Sequence, residues 1–177
     1  VLLYKCKLRG FCSWAVMIQK PSDIGFNDEG FELPGIKYND HVIKQTGPSN
    51  GMLWTVEAKT LNQRRRARRD SMEERCKIAA DLVNNSDERW LVWCDLNDES
   101  KMLSEMINDS VEVKGANTIE YKEKSMLDFS DNKIKCMVSK PKIAGWGMNW
   151  QNCHNVAFVG LSDSYEAFYQ AVRRCYR

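Results

Sequence analysis

Residues 170–177, QAVRRCYR, gather one glutamine and three arginines into eight positions. At about 100° per helical residue, Gln170, Arg174 and Arg177 fall within one narrow arc, with Arg173 beside it. Guanidinium forks on one face suit the grip of an anion. The plainer role for arginines in a last helical turn is to complement the helix dipole, and on local grounds that role leads.

A second stretch, SKPKIAGWGMNWQ (139–151), supplies Ser139, Lys140 and Lys142 as donors and cations. Gly145 and Gly147 permit close backbone approach to another molecule, while Trp146 or Trp150 could stack on a base. Against this stands a reading in which Trp150 and Met148 are core residues and the glycines form turns. The two are evenly matched. A third group, Asp95 with Asn97, Asp98 and Glu99, follows an apolar run. An acidic residue there can hold magnesium, but only with an upstream GxxxxGK[ST], and the chain contains no Gly-Lys-Ser/Thr. Helix capping explains the DLNDES group instead. Finally, LNQRRRARR places Arg64, Arg65, Arg66, Arg68 and Arg69 together, as either a solvated helix face or a salt-sensitive contact with DNA.

The elements that position these residues follow from periodicity and punctuation. Residues 2–18 read as a helix, and PSDIGFNDEGFELPG (21–35) reads as an irregular connection. IKYNDHVIKQ (36–45) predicts a strand and TGPSNG (46–51) a turn. Residues 61–84 lack glycine and proline and predict one long helix. Strand and helix then alternate: RWLVWCDL, ESKMLSEMIN, SVEVKG, YKEKSMLDF, KIKCMVS, the glycine-bearing AGWGMNWQNC, HNVAFVGL and SYEAFYQAVRRCYR. Alternation of this kind predicts an α/β fold, a parallel sheet with helices on both faces. Ligands of such sheets bind beyond the carboxyl ends of the strands, where the groups at 95–99, 139–151 and 170–177 fall. The expected division is 1–35 and 36–177.

The 177 residues suffice for one full α/β domain and part of another, and the net charge of +2 makes clustering more informative than the total. Seven scattered cysteines without a CxxC pair fit reduced thiols, and two histidines give no metal-ligand spacing. No apolar run approaches a membrane span, so a soluble, cytoplasmic protein is expected. Because the sequence opens on Val1 and stops at Arg177 inside a motif, it is read as a fragment of a longer protein.

In order, the LVWC strand with its following helix, the loop KIAGWGMNWQ, and YQAVRRCYR resemble motifs IV, V and VI of superfamily 2 helicases, in their second RecA-like lobe. The match runs over residues 89–177, about half of the chain, and the GWGMNWQ form looks closest to Swi/Snf-type ATPases and to helicase-like proteins of phages and mobile elements. CSWAVMI with PSDIGF resembles the tail of the first lobe and its connector. The resemblance implies a RecA-like sheet, the second lobe of a P-loop NTPase without its own P-loop. It implies that Arg174 and Arg177 reach ATP held with Mg2+ on the first lobe, that Gln170 positions the motif, and that Gly147, Asn149 and Arg173 lie toward the nucleotide. Ser139, Lys140, Lys142, Gly145, Trp146, Asp95 and Asn97 are implied contacts to nucleic acid, DNA in the first instance.

This chain carries no Walker A sequence and no DExx box in a suitable context, so alone it is not expected to hydrolyse ATP. Two alternatives stand beside the helicase lobe: a non-catalytic nucleic-acid-binding or adaptor domain, and an unrelated α/β enzyme using Asp95 and Glu99 as acid and base. Changing Arg64, Arg65, Arg66, Arg68 and Arg69 together to glutamine is expected to weaken DNA binding; titration at low salt checks this, and unchanged affinity would assign the run to solvent.

Overall fold

The structure, a computed structural model, describes residues 20–43, 60–144 and 147–176. The chain divides into two units, Val1–Tyr38 and Asn39–Arg177. The expected helix at 2–18 and the turn at 46–51 lie outside the described residues.

Among the described residues of the first unit, a 3-10 turn, Pro21–Ile24, is followed by Gly25 at φ +87°. Asp28 closes this turn by accepting from the Ser22 N–H at 2.7 Å and pairing with Lys20 at 3.3 Å. The Ser22 N–H bond, first of all, holds the Asp28 carboxyl below its usual range. Residues 36–43 form no strand, contrary to the periodicity of IKYNDHVIKQ. Tyr38 and Val42 are exposed at 66% and 82%, and an alternating pattern needs a neighbouring edge to bury its apolar side.

The second unit holds six helices and four strands among its described residues: α1 (Leu61–Asp70), α2 (Met72–Asn84), β1 (Trp90–Trp93), α3 (Asn97–Met106), β2 (Ser110–Val113), α4 (Ile119–Ser130), β3 (Cys136–Ser139), α5 (Pro141–Ala144), β4 (Asn155–Phe158) and α6 (Tyr165–Val172). The strands form one sheet in the order β2-β3-β1-β4. Every pairing is parallel, and Trp90 stands opposite both Cys136 and Asn155.

Successive side chains on the strands enter opposite cores. Leu91, Trp93 and Met137 pack with Phe129 of α4, Ala144 of α5 and Ala171 of α6. Val92, Cys94, Cys136 and Val138 pack with Cys76, Ala79 and Val83 of α2 and Leu103 of α3. The period of two thus sends alternate residues to two helical layers, so LVWC is apolar throughout. This is the expected α/β architecture. Burial pushes the thiols of Cys94 and Cys136 up to about 12.

The long helix expected over 61–84 is broken in two at Ser71. The Ser71 hydroxyl donates to the Ala67 carbonyl at 2.8 Å, a side-chain bond that competes with the helical ladder and bends the backbone.

Glu99 sits at the carboxyl edge of the sheet, 1% exposed. One carboxylate oxygen accepts from the N–H groups of Asp95 and Leu96 at 2.9 and 3.0 Å, so Glu99, not Asp95, caps α3. The other pairs with Arg75 of α2 at 2.7 Å. Arg75 also donates to the carbonyls of Val159, after β4, and Arg68, in α1. One carboxylate therefore ties four segments, and a buried pair of this kind loses about 3–5 kcal/mol when one partner is removed.

Gly160 lies against this cluster: a Cβ there would fall 2.3 Å from Glu99 Oε2 and 2.9 Å from the Asp95 nitrogen. Gly160→Ala is expected to destabilise the fold by about 1–3 kcal/mol. Combined with Glu99→Ala the penalty shrinks, because the nearest obstructing atom is gone and only the Asp95 backbone remains. Urea midpoints arranged as a double-mutant cycle measure the difference.

Candidate functional site

Because β1 and β3 are adjacent and parallel, the segments after them share one edge, and the sequence-expected contacts gather there. Lys140, directly after β3, donates its ammonium to Asn97 Oδ1, in the first turn of α3, at 2.8 Å. Lys142 is exposed on α5, whose start is set by Pro141 and whose turn closes on the Lys140 carbonyl. Asp95 is half-buried, and Asn149 is exposed. Gly147 has φ +79° with open space around it, so conformation, not crowding, calls for glycine there.

Ser139 faces the other way. It is fully buried and donates to the Val113 carbonyl of β2 at 2.8 Å, so its hydroxyl is committed inside the sheet. Gly145, Trp146 and Arg177 lie outside the described residues.

Trp150 is a core residue. Its ring meets Phe129 edge-on at 5.5 Å and lies 6.4 Å from Trp93, and its indole N–H donates to Ser130 Oγ at 3.0 Å. Asn152 donates to the carbonyls of Phe129 and Ser130, both at 3.0 Å, and to Asn132. Together these side chains fasten the loop before β4 to the end of α4. Asn152 and Arg89, whose guanidinium lies 5.7 Å from the Phe129 ring centre and bonds Ile134 O at 3.2 Å, are anchors that spacing did not single out. Asn132, which accepts from Asn152, takes the left-handed conformation at φ 67°.

The arginines of the last octamer separate. The helix ends at Val172, and the chain tightens through bonds from Arg174 N to Ala171 O and from Cys175 N to Val172 O. Arg174 is thereby turned inward and is 4% exposed. Its guanidinium donates to Met148 O at 2.8 Å, Gln170 O at 3.1 Å and Gln170 Oε1 at 3.0 Å. In return the Arg174 carbonyl accepts from Trp150 N–H at 2.7 Å. Next door, the free thiols of Cys175 and Cys153 act on each other, which lowers the Cys153 pKa and raises that of Cys175. Met148 and Trp150 of one stretch marked out by its chemistry are therefore cross-linked to Arg174 of the other.

Arg173 stays at the surface side, with its guanidinium 5.8 Å from the Tyr169 ring centre and 5.7 Å from that of Tyr176. In α1, Arg64, Arg65, Arg66 and Arg69 are exposed, while Arg68 pairs with Asp163 at 2.6 Å. Both oxygens of Glu99 are engaged, which removes the acid–base pair with Asp95 as a reading of this edge. Among the described residues there is no cluster of three or more potential metal ligands, and no helix is long and apolar enough to cross a membrane.

Residues 74–177 match the family described as helicase conserved C-terminal domain. Among solved structures, T4 UvsW is similar at 18% identity and a TM-score of 0.52, over 64% of this chain and 24% of that one. The C-terminal part of the Fun30 ATPase domain is similar at 17% identity and a TM-score of 0.48, over 62% of this chain and 36% of that one. The chain thus spans between a quarter and about a third of the length of these two proteins. No curated protein matches it.

The Arg174 bonds are expected to support fold and loop together. Arg174→Lys retains the charge but cannot span three acceptors, and should cost about 2–3 kcal/mol in urea unfolding, against about 1 kcal/mol for Gln170→Ala. Amide exchange at Trp150 N–H should accelerate in Arg174→Lys; a parental rate and midpoint would mean the bonds contribute nothing.

Proposed function

Since this chain belongs to the helicase conserved C-terminal domain family, we propose that it serves as the second RecA-like lobe of a superfamily 2, Swi/Snf-like helicase or translocase of the phage or mobile-element type. The observation that carries the reading is the Arg174 cross-link between the 147–150 loop and the end of α6. In the proposed cycle the loop meets the strand and the octamer meets the nucleotide, so the two ligands act on a single piece of backbone.

The exposed groups at the sheet edge suit phosphate. Lys142, Asn149 and the backbone at Gly147 are open to solvent, and Lys140 is held beside them by Asn97. DNA is the proposed partner, bound mainly through its backbone and therefore with steep salt dependence.

Fit to a nucleotide divides the arginines. Arg174 spends its guanidinium on internal acceptors and fits a coupling role better than a finger role. Arg177 is the residue we assign to the γ-phosphate, where a positioned guanidinium stabilises charge that develops during phosphoryl transfer. ATP and Mg2+ would be held mainly by a first lobe, which supplies the phosphate loop and the acidic metal ligands. Arg173 keeps its orientation through the two tyrosine rings, at the rim of the same site.

The test is DNA-stimulated ATP hydrolysis by a protein that carries both lobes, compared with its Arg177→Ala and Arg174→Ala variants. Arg177→Ala should lower turnover on the order of 10³-fold or more while keeping nucleotide binding. Arg174→Ala should lose DNA stimulation together with stability. Parental turnover in Arg177→Ala would leave a nucleic-acid-binding module without a finger.

A further inference from the structure

Tyr165 and Tyr169 of α6 and Arg173 at its C-cap recur every four residues and form a row of neighbouring side chains, called the stack below. The two tyrosine rings are 6.3 Å apart and 30° from parallel, and the Arg173 guanidinium lies over Tyr169 on one side and Tyr176 on the other. Tyr165 begins this stack and is 75% exposed, while Tyr169 is 47% exposed. Large aromatic rings held at the surface of a helix by one another, and not by the core, offer a flat apolar face of fixed orientation.

The charge beside that face is positive. Asp163, two residues before Tyr165, holds Arg68 at 2.6 Å and so places α1 next to the start of α6. Arg64 lies one turn before Arg68 on the same face of α1, with Arg65 and Arg69 on the flank, all exposed. The acidic groups within these two helices are Asp70 and Glu166, and both are exposed. Cations for phosphates next to a ring for a base is the combination that binds single strands without regard to sequence.

We propose that α1 and the open end of the α6 stack form a binding surface for single-stranded nucleic acid, with one base on Tyr165 and its flanking phosphates on Arg64, Arg65 and Arg69. This rests on the nucleic-acid reading above and adds to it a second contact, separate from Lys140 and Lys142, that selects unpaired over paired strands. A base inside a duplex has both faces covered by its neighbours and cannot reach Tyr165.

The experiment is a titration of the 177-residue chain with fluorescent oligothymidylate and with a blunt duplex. Tyr165→Ala should weaken oligothymidylate binding on the order of tenfold, and Tyr165→Phe, which keeps the ring, should stay within about twofold of the parent. Neither change should move duplex affinity. Arg65→Gln should flatten the salt dependence on oligothymidylate by about 0.7 in slope, whereas Tyr165→Ala should leave the slope intact. Equal affinity of Tyr165→Ala and parent for oligothymidylate, or an equal loss on duplex, would overturn the proposal and make this face a surface for a protein element. If Lys140→Gln and Lys142→Gln still weaken binding in that case, the nucleic-acid reading survives without the tyrosine contact; a parent chain that binds neither probe overturns both.

Discussion

A single buried carboxylate sets the geometry of the working edge. Glu99 accepts two backbone N–H groups at the start of α3 and one guanidinium from α2, and that guanidinium in turn reaches the ends of β4 and α1. Such a charge is tolerated away from water only while every lone pair is occupied. The arrangement must therefore be complete or absent, and this fixes where β1 releases the chain, where β4 releases it, and how α1 is moored. Asn97, Asp163 and Tyr165 owe their places to a residue that touches no proposed ligand.

The second dependence runs through Arg174. A parallel sheet delivers its loops to one edge, but it does not by itself hold them to each other. The loop after β3 is nailed to α4 by Trp150 and Asn152 and to the end of α6 by Arg174. In this way the chain turns two flexible connections into one body, with its charged and open positions on the outside and its tryptophan within.

The architecture was readable because the alternation of apolar runs and helical periods is a property of consecutive residues. The four strands, α3, α4 and the shared edge followed from it, whereas α5 lies where no helix was expected between β3 and β4. What escaped was non-local. Ser139 lies at a strand end, and nothing in its neighbourhood tells that Val113 offers a carbonyl on the adjacent strand. Arg174 looked like a surface fork because helical spacing places it with Gln170 and Arg177; the chain instead leaves the helix at Val172 and turns the side chain inward. Glu99 was visible as part of a capping group, yet its partner Arg75 stands far earlier in the chain, on α2. The break at Ser71 came from one hydroxyl, and residues 36–43 of the strand expected at 36–45 pair with no strand among the described residues. The match to a helicase C-terminal family bears on the fold and the order of its segments.

Linkage gives the Arg174 clamp a consequence beyond geometry. If one body answers to both a strand and a nucleotide, the free energy with which either biases it is shared, and the bias must be equal in both directions. Load applied to the strand would then alter the hold on the nucleotide by the same factor with which the nucleotide alters the hold on the strand. Three hydrogen bonds around a guanidinium would then carry that bias from one end of the body to the other.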